Sequence, residues 1–143
     1  MSTLQVMKAL ALQDSQSIEI RSLAESLGHP LKVDRMLRDL WRVLPDPPEY
    51  EYVRSPVFQI HAYQENGFFA GDCDDSATLA GSLLVAMNQP CNLVAIRMPS
   101  DAEFSHVFLR CYLNGRRLDI DPIVPPEQIP IEGIAETMEI SIL

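Results

Sequence analysis

Basic clusters, cysteine pairs, metal-ligating repeats and long apolar runs are all missing from this chain of 143 residues. Lys and Arg number 11 against 20 Asp and Glu, giving a formal charge of −9, and only Arg116-Arg117 are adjacent. Phosphate neutralisation needs clustered cations, so nucleic acid is excluded as a partner. No apolar run approaches the ~18 residues of a bilayer span, and no basic region followed by a long apolar segment opens the chain. A membrane partner is not expected. Cys73, Cys91 and Cys111 form no CxxC and leave an odd thiol in any pairing. The expectation is a reduced, cytoplasmic protein. His29, His61 and His106 show no His-x-x-x-His spacing, so neither a zinc site nor any other cofactor is expected.

What is present suits one domain, 1–143, with 47% apolar residues to build a core. Three helices are expected in a helical part, 1–44. Thr3 to Gln13 has a weak apolar pattern, Ile18 to Leu27 a clear stripe stopped by Gly28, and Val33 to Leu44 one buried face. A helix-turn-helix over Ile18 to Leu44 would need a basic reading helix; here acids balance the bases, and packing is the better role. Residues 45–70 read as a connector. Within it Glu49 to Gln59, rich in Pro, acids and aromatics, reads as extended, with Asn66-Gly67 a turn.

Residues 71–143 form the expected core. Gly71-Asp72-Cys73-Asp74-Asp75 delivers a cysteine to a helix reaching about Asn88, apolar on most sides and therefore central. Its small residues, Ala80, Gly81 and Ser82, allow a sheet to approach. Strands are expected over Asn92 to Met98, Ser105 to Leu113 and Arg116 to Ile123, the last two joined at Asn114-Gly115, a strong hairpin signal. The tail, Ile134 to Leu143, suits an edge strand.

The two-residue turn sets the register. Leu113 opposes Arg116, Tyr112 opposes Arg117, Arg110 opposes Asp119, Phe108 opposes Asp121 and His106 opposes Ile123. His106 and Asp121 become diagonal neighbours on one face, with Cα atoms ~7–8 Å apart. Asp119 falls to Arg110 as a structural ion pair. Val107, Leu109, Cys111 and Leu113 face the core, which makes Cys111 an inert core thiol.

Taken singly, Cys73 reads as a buried thiol beside helix caps, His106 as a strand residue and Asp121 as a strand-end acid. Together they supply a nucleophile, a base and an orienting carboxylate. A helix N-terminus favours the thiolate and offers N–H groups to an oxyanion. Asp72, Asp74 and Asp75 oppose it; a protonated His106 is expected to outweigh them, with Asp72 or Asp75 capping the helix.

The stretches Gly71-Asp72-Cys73-Asp74-Asp75-Ser76-Ala77, Phe104-Ser105-His106-Val107 and Asn114-Gly115-Arg116-Arg117-Leu118-Asp119-Ile120-Asp121-Pro122 resemble the transglutaminase-like superfamily of thiol enzymes, above all its short bacterial and phage versions. Upstream, Tyr52-Val53-Arg54-Ser55-Pro56 looks like that family's connector into the cysteine turn. The resemblance implies an α+β, papain-like core in which N-terminal helices and a central Cys-bearing helix pack on an antiparallel sheet. It implies acyl transfer from amides through a thioester to water or an amine. Cys73 would be the nucleophile, His106 the general base and acid, and Asp121 the orienting carboxylate. Peptide or protein amides are then the expected substrates, and so short a form is expected to work with a protein partner or in a larger assembly. The alternative is a non-catalytic binding or assembly module on the same fold. Where the family often carries Trp after the hairpin turn, this chain has Arg116-Arg117. Gln59 and Gln64 are the candidate side-chain donors to an oxyanion.

Overall fold

Each of the first helices starts at a side chain that can accept a backbone N–H. Ser2 accepts from Gln5 and opens α1 (Thr3–Asp14); Ser17 accepts from Ile20 and opens α2 (Ile18–Leu27). Gly28, at φ 75°, takes the left-handed conformation that closes α2. The computed structural model describes residues 2–45 and 53–143. It continues with α3 (Pro30–Leu40), β1 (Trp41–Val43), α4 (Pro56–Asn66), β2 (Phe69–Gly71), α5 (Cys73–Ala86), β3 (Cys91–Arg97), β4 (His106–Leu113), β5 (Arg116–Ile120) and β6 (Glu136–Ser141). Among the described residues, no helix is long and apolar enough to cross a membrane.

Two expectations fail in the first half. The apolar spacing predicts a third helix over Val33 to Leu44, but α3 starts at Pro30 and stops at Leu40. His29 Nδ1 accepts the Leu31 N–H, and Pro30 occupies the first turn, where a missing N–H costs nothing. Trp41, Arg42 and Val43 are extended because they pair in parallel with Phe69, Ala70 and Gly71. The Trp41 ring stacks on Phe69 at 6.3 Å, and its indole N–H donates to the Gly71 carbonyl at 3.2 Å. The connector over Glu49 to Gln59 was read as extended. Residues 46–52 lie outside the described residues; from Pro56 onward the chain is helical, capped by Ser55 and closed by Gly67. Ser-Pro at that point is a cap followed by a first-turn proline, a helix start hidden by the neighbouring prolines and aromatics.

α5 is the central element. Leu79, Ala80, Leu83 and Leu84 are fully buried, and the helix touches α1, α2, α3 and α4 as well as β3 and β4. Ser82 Oγ donates to the Ala11 carbonyl of α1 at 2.9 Å. A Cβ on Gly81 would stand 2.7 Å from Ile142 Cδ1, so the small residue is what lets the sheet side approach, as the sequence suggested.

The sheet is antiparallel, ordered β5-β4-β3-β6. Its hairpin register matches the expectation through Leu113–Arg116, Tyr112–Arg117 and Arg110–Asp119. Val107, Leu109 and Cys111 join the core shared with α5, while Phe108 packs with Val94 and Ile96 in a smaller cluster. The expected edge strand of the tail is β6, paired with β3. The pairing ends at Leu109–Ile120, however, so Phe108–Asp121 and His106–Ile123 are not ladder pairs. The reason is local. Asp121 Oδ1 accepts the N–H groups of Ile123 and Val124 at 3.1 and 3.3 Å, an Asx-type turn that takes the chain out of the strand.

Candidate active site

The cysteine turn is pinned from both sides. The Gly71 carbonyl accepts the Leu44 N–H at 2.8 Å besides the Trp41 indole. Gln59, wholly buried, donates from Nε2 to the Ala70 carbonyl at 2.8 Å and accepts the Ala70 N–H at 3.4 Å. Asp72 and Asp75 cap the helix reciprocally: Asp72 Oδ1 accepts the Asp75 N–H at 3.2 Å, and Asp75 Oδ2 accepts the Asp72 N–H at 3.0 Å. Asp75, with no exposed surface, also accepts the Arg54 backbone N–H and Nη1–H, both at 2.6 Å. A Cβ on Gly71 would lie 2.3 Å from Asp75 Oδ2. Glycine is therefore required there by the closeness of that carboxylate. These contacts place Cys73 as the first residue of α5.

His106 begins β4, and its Nε2 meets Asp121 Oδ2 at 2.5 Å. Asp121 is only 2% exposed. With an ionised carboxylate as acceptor, the ring nitrogen facing Asp121 is the one that donates, and Nδ1 is the nitrogen turned away from it. Asp119 stands apart as expected, paired with Arg110 at 2.9 Å and Arg117 at 3.4 Å. The partner selected by the hairpin count is therefore the one His106 has, although the Asx turn rather than a strand pair brings it there.

Cys73 and His106 line the same cavity of about 710 Å³. Its walls include Leu4 and Met7 of α1, Phe104 before β4, and Glu136 and Met138 of β6. The α1 residues carried no functional signal in the sequence, where they read as helix core. Neither Gln59 nor Gln64 lines this cavity. Gln59 is committed to β2, and Gln64 borders a separate cleft beside Ile18 and Glu19. The two possibilities for a side-chain donor to an oxyanion thus both lie away from the cavity that Cys73 lines.

The thiol is protonated more firmly than expected. Burial is the main cause pushing Cys73 up to about 12, followed by the Asp74 carboxylate, with Asp72 and Asp121 adding to it. The Val107 backbone hydrogen bond pulls the other way. Asp74 Oδ1 lies 3.9 Å from Sγ. Burial and the carboxylates thus act against the thiolate that a helix start was expected to favour.

Burial also raises Cys91 to about 12 and Cys111 to about 11, from an ordinary 9.0. The folded state holds all three protons more tightly than the unfolded chain. Stability should be intact below the unfolded value of 9.0 and be lost progressively above it, until pH has risen through the folded values of 11 to 12. Each thiol contributes a slope of up to about 1.4 kcal/mol per pH unit there. Urea titrations on either side of that threshold check this, and replacing Cys91 with alanine should flatten the alkaline loss.

No family model matches the sequence, and no curated protein does. Solved structures do match. The putative cysteine protease of Cytophaga hutchinsonii is 16% identical, covering 87% of this chain and 47% of its own, with a TM-score of 0.58. A putative protease from Parabacteroides distasonis is 19% identical over 99% of this chain and 30% of its own, TM-score 0.64. EGTA-treated LapG of Legionella pneumophila is 20% identical over 92% and 77%, TM-score 0.52. The chain thus spans about half the length of the first and under a third of the second. At these identities the likeness is one of architecture: this chain has an α+β, papain-like fold in common with these solved structures.

Proposed function

We propose that the domain is a thiol-dependent acyl-transfer enzyme acting on amide bonds of peptides or proteins, with Cys73 as nucleophile, His106 as general base and acid, and Asp121 as the group that orients His106. The observation that carries this reading is the buried His106–Asp121 hydrogen bond on a cavity shared with a cysteine at a helix start. Asp121 holds the proton on Nε2, so Nδ1 takes the thiol proton as Sγ attacks the carbonyl carbon. Burial and Asp74 push the thiol up, which favours proton transfer in step with attack. The Cys73 N–H stabilises the tetrahedral oxyanion. The protonated imidazole then donates to the departing amine, leaving a thioester that water or a second amine resolves.

The test is intact-mass spectrometry after incubation with peptide and cell-wall fragment libraries and an acid quench. A hydroxylamine-sensitive adduct on Cys73 is expected. Iodoacetamide should also label half-buried Cys73 faster than buried Cys91 and Cys111; equal labelling of the three in folded protein would sink the proposal. A non-catalytic module on the same fold is the second reading, favoured by the thiol raised to about 12. It would be supported by Cys73 accepting no acyl group while the protein still captures a partner.

Asp74 gives a separate handle. Replacing it with asparagine removes the largest charge that raises the thiol, so Asp74→Asn should label several-fold faster with iodoacetamide at neutral pH. Rates against pH check the direction, since the midpoint should fall.

A further inference from the structure

Cys91 and Cys111 have no place in this chemistry, yet they are direct cross-strand partners in the two middle strands of the sheet. Both belong to the core shared with α5, so both side chains leave the sheet on one face. Two independent features fix the kind of pair they form. The Cys91 carbonyl accepts the Ile142 N–H at 2.9 Å, toward β6. A strand residue points its N–H and C=O to the same neighbour, so Cys91 makes no ladder bonds to β4. From the other side, the two-residue turn makes Leu113–Arg116 a hydrogen-bonded pair. Alternation makes Cys111–Leu118 another, which directs the Cys111 backbone toward β5.

The two cysteines therefore face each other across a non-hydrogen-bonded position, where opposed Cα atoms are about 4.5 Å apart and side chains are closest. That separation lies in the range a disulfide spans, roughly 4.4–6.8 Å. Both residues also border an open cavity of about 420 Å³ at this end of the sheet, with Gln89, Pro90 and Tyr112. Cys73 does not compete for either of them. It bonds the Val107 backbone, four residues along β4 from Cys111, or about 13 Å.

We propose that Cys91 and Cys111 are a redox-convertible pair that closes as a cross-strand disulfide when a small disulfide oxidant enters through this cavity, stapling β3 to β4. One protein thiol loses its proton and attacks the oxidant's S–S bond, releasing one small thiol and leaving a mixed disulfide. The second protein thiol attacks the protein sulfur of that mixed bond and releases the other small thiol. Two protein thiols are oxidised and one small disulfide is reduced to two thiols. In the reduced form both sulfurs are protonated and nearly inaccessible, so closure is slow and needs oxidant in excess. Once closed, the bond joins strands that already lie in register and should raise thermal stability.

Oxidised glutathione in excess, added to the full chain in native buffer, tests this when followed by alkylation and non-reducing digestion. The expected result is a Cys91–Cys111 linked peptide, two hydrogens lighter than the reduced pair, that also forms in Cys73→Ser. The unfolding midpoint should rise by several degrees and return on adding dithiothreitol. The proposal is overturned if Cys91 and Cys111 remain fully alkylatable after prolonged oxidation and unfolding, or if the linked peptide forms only once denaturant is present. Neither result depends on turnover at Cys73.

Discussion

Replacing His106 with alanine is expected to slow acyl transfer to Cys73 by about 10²–10⁴-fold, the usual worth of a positioned base. The structural reason for so large an effect is that the surroundings of the thiol push it above its ordinary value. Burial and Asp74 hold its proton, so attack depends on a base that removes it during the reaction. Replacing Asp121 should cost a comparable factor, because its carboxylate fixes which imidazole nitrogen carries hydrogen. Asp119 is the control. It lies two residues away on the same strand segment, but its oxygens are taken by Arg110 and Arg117. Asp119→Asn should leave acyl transfer within a few-fold of the parent while lowering stability modestly. The measurement is the single-turnover rate of adduct formation on Cys73 by rapid-quench mass spectrometry, with circular dichroism to verify folding. If His106→Ala or Asp121→Asn transferred acyl groups at the parent rate, the catalytic roles assigned to these residues would fall.

The contrast between Asp119 and Asp121 also shows what kind of information a sequence carries. Asn114-Gly115 sets a two-residue turn, and its register assigns Asp119 to Arg110 and leaves Asp121 as the acid for His106. Strand alternation and a single two-residue loop are local rules, so they could be applied without knowing the fold. The helix starting at Cys73 was legible for the same reason, through its caps and its uninterrupted apolar length. The parts that were hidden depend on partners far away in the chain. Trp41 leaves its helix because Phe69 and Gly71 wait to pair with it across 28 and 30 positions. Nothing near Trp41 announces this, and the apolar spacing of α3 runs straight through it. Asp121 reaches His106 through an Asx turn that breaks the expected strand; Asp-Pro suggested a strand end but not where the carboxylate would go. A sequence shows the charges and the helix end near Cys73 but not its burial, which is the largest influence on the thiol.

Asp75 gives the other large effect, and it concerns stability more than chemistry. Asp75→Ala is expected to cost about 3–5 kcal/mol, the range for removing one partner of a buried ion pair. One side chain accepts from the Arg54 guanidinium, the Arg54 backbone and the Asp72 backbone. Its loss leaves those donors short of an acceptor in a place water reaches poorly. Set against the 5–15 kcal/mol that typically holds a domain of this size together, roughly a fifth or more of the stability is at stake. The half of the capping box that depends on this carboxylate goes too, so the first turn of α5 should loosen and Cys73 should become easier to alkylate. Gly71→Ala tests the same contact from the opposite direction, since its methyl group must displace Asp75. Asp34 is the reference: it pairs with Arg38 four residues away near the surface, and Asp34→Ala should cost only about 0.3–0.5 kcal/mol. Urea unfolding of the three variants, with alkylation of Cys73 followed in native buffer, measures both consequences. Asp75→Ala within about 1 kcal/mol of the parent, below the buried-pair range, would mean that other contacts, those of Trp41, Leu44 and Gln59 among them, hold the cysteine turn without this carboxylate.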